Sequence, residues 1–261
     1  MTVDLSSKYL GLNLKNPLVI SSCPLTGKTE WLKRLEAAGA AAAVLPSLFE
    51  EQIEHDEVEI AKAHEFGTDS FAEALTYFPE MQNYNTGPED YLEAIEQAKK
   101  AVKMPIIASL NGTSRGGWIR YAKTMQDAGA DALELNVYYI ATDADMTGEA
   151  VESRYLDLVA AVKESVSIPL AVKVGPYFSA MANMAKRLAE AGADGLVLFN
   201  RFLQPDIDLD SMQTTPKLVL SDAQEFLKPL RWVAILHGRV NCSFRCAGSP
   251  SSAAGSRPRW P

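Results

Sequence analysis

The feature that most constrains this chain is a repeated punctuation. Runs opened by proline, Pro17-Leu18-Val19-Ile20, Pro105-Ile106-Ile107-Ala108 and Pro169-Leu170-Ala171-Val172, alternate with runs that follow an Ala-Gly-Ala turn. The second kind reads Ala38-Gly39-Ala40 before Ala43-Val44-Leu45, then Ala128-Gly129-Ala130-Asp131 before Ala132-Leu133-Glu134-Leu135. Its third copy is Ala191-Gly192-Ala193-Asp194 before Leu196-Val197-Leu198-Phe199. Glycine belongs at such turns because helices commonly end on a left-handed residue. Short continuous apolar runs suit strands buried on both faces of a parallel sheet. The stretches between them, 29–38, 88–102, 118–128, 150–166 and 179–191, carry apolar residues at helical spacing. Strands alternating with helices specify an α/β fold. Three copies of a strand-helix-strand-helix unit predict a (β/α)8 TIM barrel, here truncated to about six strand-helix units. An open doubly wound sheet is the weaker reading, because no Gly-x-Gly-x-x-Gly turn follows the first strand.

The fourth copy is missing. A helix-like segment at 226–236 is followed by residues 241–261, which contain no Val, Ile, Leu, Asp or Glu and are rich in Ser, Pro, Gly and Arg. The expectation is a partial barrel over 1–240 and a disordered tail over 241–261, from a truncated or altered C-terminus. An unclosed barrel leaves edge strands unpaired, which favours self-association, so a homo-oligomer is among the expected partners.

Composition narrows the function classes. With 47% hydrophobic and 22% charged residues, the 261-residue chain is an ordinary globule. Its net charge of -8 argues against nucleic acid and acidic membrane surfaces as partners. There is no apolar run of membrane-spanning length and no signal-peptide pattern at Met1-Thr2-Val3-Asp4. Cys23, Cys242 and Cys246 make no disulfide framework, so a cytoplasmic setting is expected. The histidines, His55, His64 and His237, show no metal-ligand spacing.

Chemistry in a barrel gathers at the C-terminal strand ends. Those ends read Ser21-Ser22-Cys23, Pro46-Ser47, Ser109-Leu110-Asn111-Gly112-Thr113-Ser114, Glu134-Leu135-Asn136-Val137-Tyr138-Tyr139, Lys173 and Asn200-Arg201. Lys173 interrupts the apolar run 168–177 and must find an anion or reach water. Glu134 is the lone acid, and alternation turns it to the face of Asn136. Neither a carboxylate pair for hydrolysis nor a His/Cys/Asp cluster for a metal is present. A ring of amides and hydroxyls with one cation suits a neutral heterocycle that gains negative charge. A flavin is a ligand of that kind, its reduced anion stabilised by a lysine.

The segments Lys15-Asn16-Pro17-Leu18-Val19-Ile20-Ser21-Ser22, Pro105 through Gly112, Glu134-Leu135-Asn136 and Val172-Lys173-Val174-Gly175-Pro176-Tyr177 resemble the soluble dihydroorotate dehydrogenases, over about residues 5–240. The resemblance implies an FMN-containing barrel that oxidises dihydroorotate or a similar CH–CH substrate, in pyrimidine biosynthesis, by passing a hydride to FMN. It implies that Ser21, Ser22, Asn111, Asn136 and Lys173 bind the cofactor, and that Asn136 and Asn200 bind a small-molecule substrate. It also implies catalytic roles for Lys173 and for Tyr139, which stands where the family's soluble branch keeps a cysteine base. The family's lysine after the second strand is replaced by Pro46-Ser47, and its asparagine-rich substrate loop has no counterpart at 71–81. Two other readings remain open: a Schiff-base lyase or aldolase using Lys173, and a non-catalytic truncated barrel.

Overall fold

The computed structural model describes residues 3–49, 88–111, 118–137, 139–200, 204–217 and 224–247. A short hairpin of β1 (Ser7–Tyr9) and β2 (Leu12–Leu14) precedes a run of strand-helix units. These are β3 (Val19–Ile20) and α1 (Thr29–Ala37), β4 (Ala42–Phe49) and α2 (Pro88–Ala101), β5 (Ile106–Asn111) and α3 (Trp118–Asp127). They continue with β6 (Ala132–Asn136) and α4 (Gly148–Ser165), then β7 (Leu170–Val174) and α5 (Met181–Glu190). After β8 (Gly195–Leu198) the chain forms a second hairpin, β9 (Gln204–Asp208) and β10 (Gln213–Lys217), then α6 (Leu227–Leu236) and β11 (Ser243–Cys246). One parallel sheet joins seven strands in the order β3-β4-β5-β6-β7-β8-β11. The order follows the chain, as in a barrel, and never reverses, as a doubly wound sheet must. Among the described residues the architecture is that of a partial (β/α) barrel.

The repeated turns do what their composition implies. Gly39, Gly129 and Gly192 end α1, α3 and α5 at φ of +109, +98 and +111. In each case the next amide closes a six-residue bond, Ala40 to Leu35 O, Ala130 to Met125 O and Ala193 to Leu188 O. These are Schellman caps. The aspartates that follow fasten the neighbouring strand. Asp131 Oδ2 accepts from the Ile106 amide at 2.7 Å, and Asp194 Oδ2 from the Leu170 amide at 2.8 Å. Lys99 and Lys163 each hold the same carboxylates at 2.6 Å.

Alternation separates two faces. Leu45, Ile106, Leu110, Leu133, Leu135, Val172 and Leu196 pack outward against the helices. On the inner face, Ala42, Val44, Ile107, Ala132, Ala171 and Val197 meet Tyr9, Leu10 and Leu14 of the first hairpin. The hairpin therefore plugs the end of the sheet where strands begin. Gly195 makes room for it, since a Cβ there would lie 2.6 Å from Leu10 Cδ2.

The tail departs from its expected disorder. Ser243–Cys246 pairs with β8 in parallel register, Ser243 to Gly195 through Cys246 to Leu198, and supplies a seventh strand. It needs no Val, Ile or Leu because its sides are served separately. Phe244 and Cys242 pack on the outer core, Ser243 Oγ accepts from the Leu10 amide at 3.0 Å, and Arg245 points inward to an acid. Residues 248–261 lie outside the described set. The β9–β10 hairpin also goes beyond the sequence reading. Its turn is shaped by Asp208, whose carboxylate accepts from the Asp210 and Ser211 amides. Those bonds pull the Asp208 pKa below its ordinary value.

Candidate active site

Register builds the site. Asn111 of β5 pairs with Asn136 of β6, and Asn136 with Lys173 of β7. These residues form one row across the C-terminal ends of three consecutive strands. The row beneath holds Ser47, Ser109, Glu134, Ala171 and Gly195. A period of two puts both rows on the inner face.

The upper row is the mouth. Asn200, which follows β8, donates from Nδ2 to Asn136 Oδ1 at 2.7 Å. Both amides are 8% exposed. Lys173 is held near Glu134, with Nζ 3.7 Å from Oε1. Its side chain keeps 15% of its surface exposed against 1% for Glu134, so the ammonium faces the mouth and the carboxylate lies under it. Ser21 and Ser22 follow β3 at the same end of the sheet, half-buried.

The lower row carries the charge that sequence reasoning left unpaired. Glu134 Oε2 accepts a short hydrogen bond from Arg245 Nη2, a residue 111 positions away. The Arg245 Cζ also stands 5.9 Å from the centre of the Tyr9 ring. Arg245 was legible only as part of a polar tail. The one hint was a buried glutamate, which needs a cation.

Pro46 shapes the other side. Pairing of β4 with β5 shifts between Val44 and Ser47. A proline inside a strand belongs at such a bulge, because it has no amide to donate. The bulge frees the Ser109 backbone, and Tyr91 of α2 fills the gap. Its hydroxyl accepts from Ser109 N at 2.9 Å and donates to Ser109 O at 3.3 Å. Burial pushes the Tyr91 phenol well above its ordinary pKa, so it stays a neutral donor. Ser47 Oγ and Ser109 Oγ are then 2.8 Å apart. This hydroxyl pair occupies the place where the resemblance leads one to look for a lysine.

Tyr139 stands apart from these rows. Its hydroxyl donates to Met146 Sδ at 3.1 Å, and Arg154 Cζ lies 5.1 Å from its ring centre. A role as base requires that contact to open. Tyr138, Thr113, Ser114 and Arg201 lie outside the described residues, as does 71–81. Among the described residues no group of three or more His, Cys, Asp or Glu is placed to hold a metal ion. Among them too, no helix is long and apolar enough to cross a membrane.

The family model described as dihydroorotate dehydrogenase matches residues 4–218. The chain belongs to the dihydroorotate dehydrogenase family. That match ends before α6 and β11, so Arg245 lies beyond it. Relatives agree. The catalytic subunit of dihydroorotate dehydrogenase B (NAD(+)) of Thermoplasma acidophilum is 29% identical over 215 residues, covering 79% of this chain and 65% of that protein. The protein of the same name from Thermoplasma volcanium is 30% identical over 217 residues, covering 80% of this chain and 65% of that one. The NAD-dependent dihydropyrimidine dehydrogenase subunit PreA of Escherichia coli (strain K12) is 26% identical over 209 residues, covering 77% and 49%. The chain thus spans less than two thirds of the length of these dihydroorotate and dihydropyrimidine dehydrogenase subunits.

Proposed function

We propose that this chain is an FMN-dependent oxidoreductase that acts on a CH–CH bond of a dihydroorotate-like or dihydropyrimidine-like ring. One observation carries the reading: Asn111, Asn136 and Lys173 stand in register at the mouth, with Asn200 bonded to Asn136. The donor set fits a flavin. Carboxamides both donate and accept, matching the alternating edge of its pyrimidine ring. Among the described residues Lys173 makes no hydrogen bond, only its 3.7 Å ion pair with Glu134, so its protons remain to be used. FMN, when bound, supplies the hydride acceptor.

The chain's own residues do the rest. Asn111 and Asn136 orient the ring, and Lys173 offers positive charge where negative charge develops. Asn200 fixes the Asn136 amide and presents its remaining polar atoms to the substrate. The Tyr9, Leu10 and Leu14 plug closes the opposite end and keeps the interior dry. Ser21 and Ser22 complete the rim beside the first strand.

The test is the visible spectrum of the purified chain after FMN is added and the excess removed. Retained flavin bands are expected, and weaker retention for Lys173→Met. A colourless protein overturns the proposal.

A further inference from the structure

Glu134 is the only buried carboxylate among the described residues, and two cations, Lys173 and Arg245, converge on it. They do not share it equally. Arg245 takes Oε2 in a short hydrogen bond. Oε1, the atom Lys173 faces at 3.7 Å, receives no hydrogen bond. The trio therefore carries one positive charge in excess, and the looser cation is the one at the mouth.

We infer that Arg245 is a positioning residue: by engaging Glu134 it keeps Lys173 from being drawn down into the barrel and leaves that ammonium available to an electron-rich ligand at the mouth. A buried carboxylate without a partner is costly. If Arg245 were removed, Lys173 is the cation within reach, and closing 3.7 Å to a hydrogen bond would spend its charge on Glu134. The inference makes β11 part of the working site, although the family match stops at residue 218. Its ligand end rests on the flavin reading above. Its protein end does not.

The experiment follows Lys173 acylation by an N-hydroxysuccinimide ester on the full chain, read by mass spectrometry. Lys99 and Lys163, each tied to an aspartate at 2.6 Å, are internal references. Arg245→Met should slow Lys173 labelling about tenfold, the worth of one hydrogen bond to a charged group. Arg245→Lys should restore it. Arg245→Met combined with Glu134→Gln should restore it as well, because the competing carboxylate is gone. Unchanged or faster labelling in Arg245→Met overturns the inference, since mere loosening of the strand would expose the lysine. Should Arg245→Met fail to melt cooperatively, Glu134→Gln alone decides. A change in Lys173 labelling below about twofold supports prior engagement of Glu134 by Arg245, whereas a rise of about tenfold shows that Lys173 was its partner. FMN affinity is measured in parallel, and Arg245→Met should weaken it about tenfold. No flavin binding with the labelling pattern intact sinks the flavin reading alone. Flavin binding without the pattern sinks this inference alone.

Discussion

Asn200 Nδ2 reaches Asn136 Oδ1 at 2.7 Å across the end of β7, the strand that lies between theirs and carries Lys173. Residues of strands that are not neighbours are thus tied together. The bond fixes which way the Asn136 amide points, and so which atom it shows the mouth.

Asn136→Ala removes the acceptor and leaves the buried Asn200 amide unpaired. A buried polar group without a partner costs roughly 1–3 kcal/mol. The variant is expected to lose stability by that order in urea, and to lose flavin retention. Asn136→Asp keeps an acceptor in place and should recover most of the stability but not the retention, because it adds negative charge beside Lys173.

Tyr91→Phe tests the bulge at Pro46. The hydroxyl serves both backbone groups of Ser109. Without it a buried amide and carbonyl lose their partner, at a cost of roughly 1–3 kcal/mol. Chemical denaturation should show the loss with an unchanged slope. An unaffected midpoint would mean that β4 and β5 re-pair across the bulge.

Gly192→Ala and Gly39→Ala separate strain from crowding. Both glycines sit near φ +110, at +111 and +109, where a side chain is strained. Only Gly192 is crowded as well, since a Cβ would lie 2.7 Å from Lys163 Cγ, while Gly39 has nothing within 4 Å. Each substitution should destabilise by at least about 1 kcal/mol. Gly192→Ala should cost more, because it displaces the Lys163–Asp194 pair. Equal midpoints in thermal melts would show that Lys163 yields freely.

The thiol of Cys242 gives a pH signature. Burial, with the Asp194 carboxylate nearby, pushes it up to about 11 from 9.0. The folded chain then holds this proton more tightly than the unfolded chain, so its contribution is intact below pH 9 and is lost as pH rises toward 11. Alkaline unfolding should steepen over that window, and Cys242→Ser should flatten it. Iodoacetamide should modify Cys242 slowly at neutral pH, with a rate that climbs as pH approaches 11.

Much of this molecule was legible without coordinates. Prolines before strands, glycines after helices and the 3.6-residue spacing between them are local signals. They located β3 through β8 and all six helices of the described chain within a few residues. Alternation alone put Glu134 and Asn136 on one face, and strand order alone put Asn111, Asn136, Lys173 and Asn200 at one end. The second hairpin escaped because it shows no apolar pattern of a buried strand: Ile207, Leu209 and Met212 are all exposed.

The decision about β11 was tertiary. Read locally, Asn241 to Cys246 is a polar stretch with no strand former except Phe244. Its buried Arg245 finds the opposite charge it needs in Glu134, 111 residues earlier. The same holds for Tyr91, whose hydroxyl has a purpose only once Pro46 has broken the neighbouring ladder. Local periodicity sets where elements begin and which face turns inward. Partners for buried polar groups are set by the assembly of the sheet, which brings distant residues together and removes the water that would otherwise have served them.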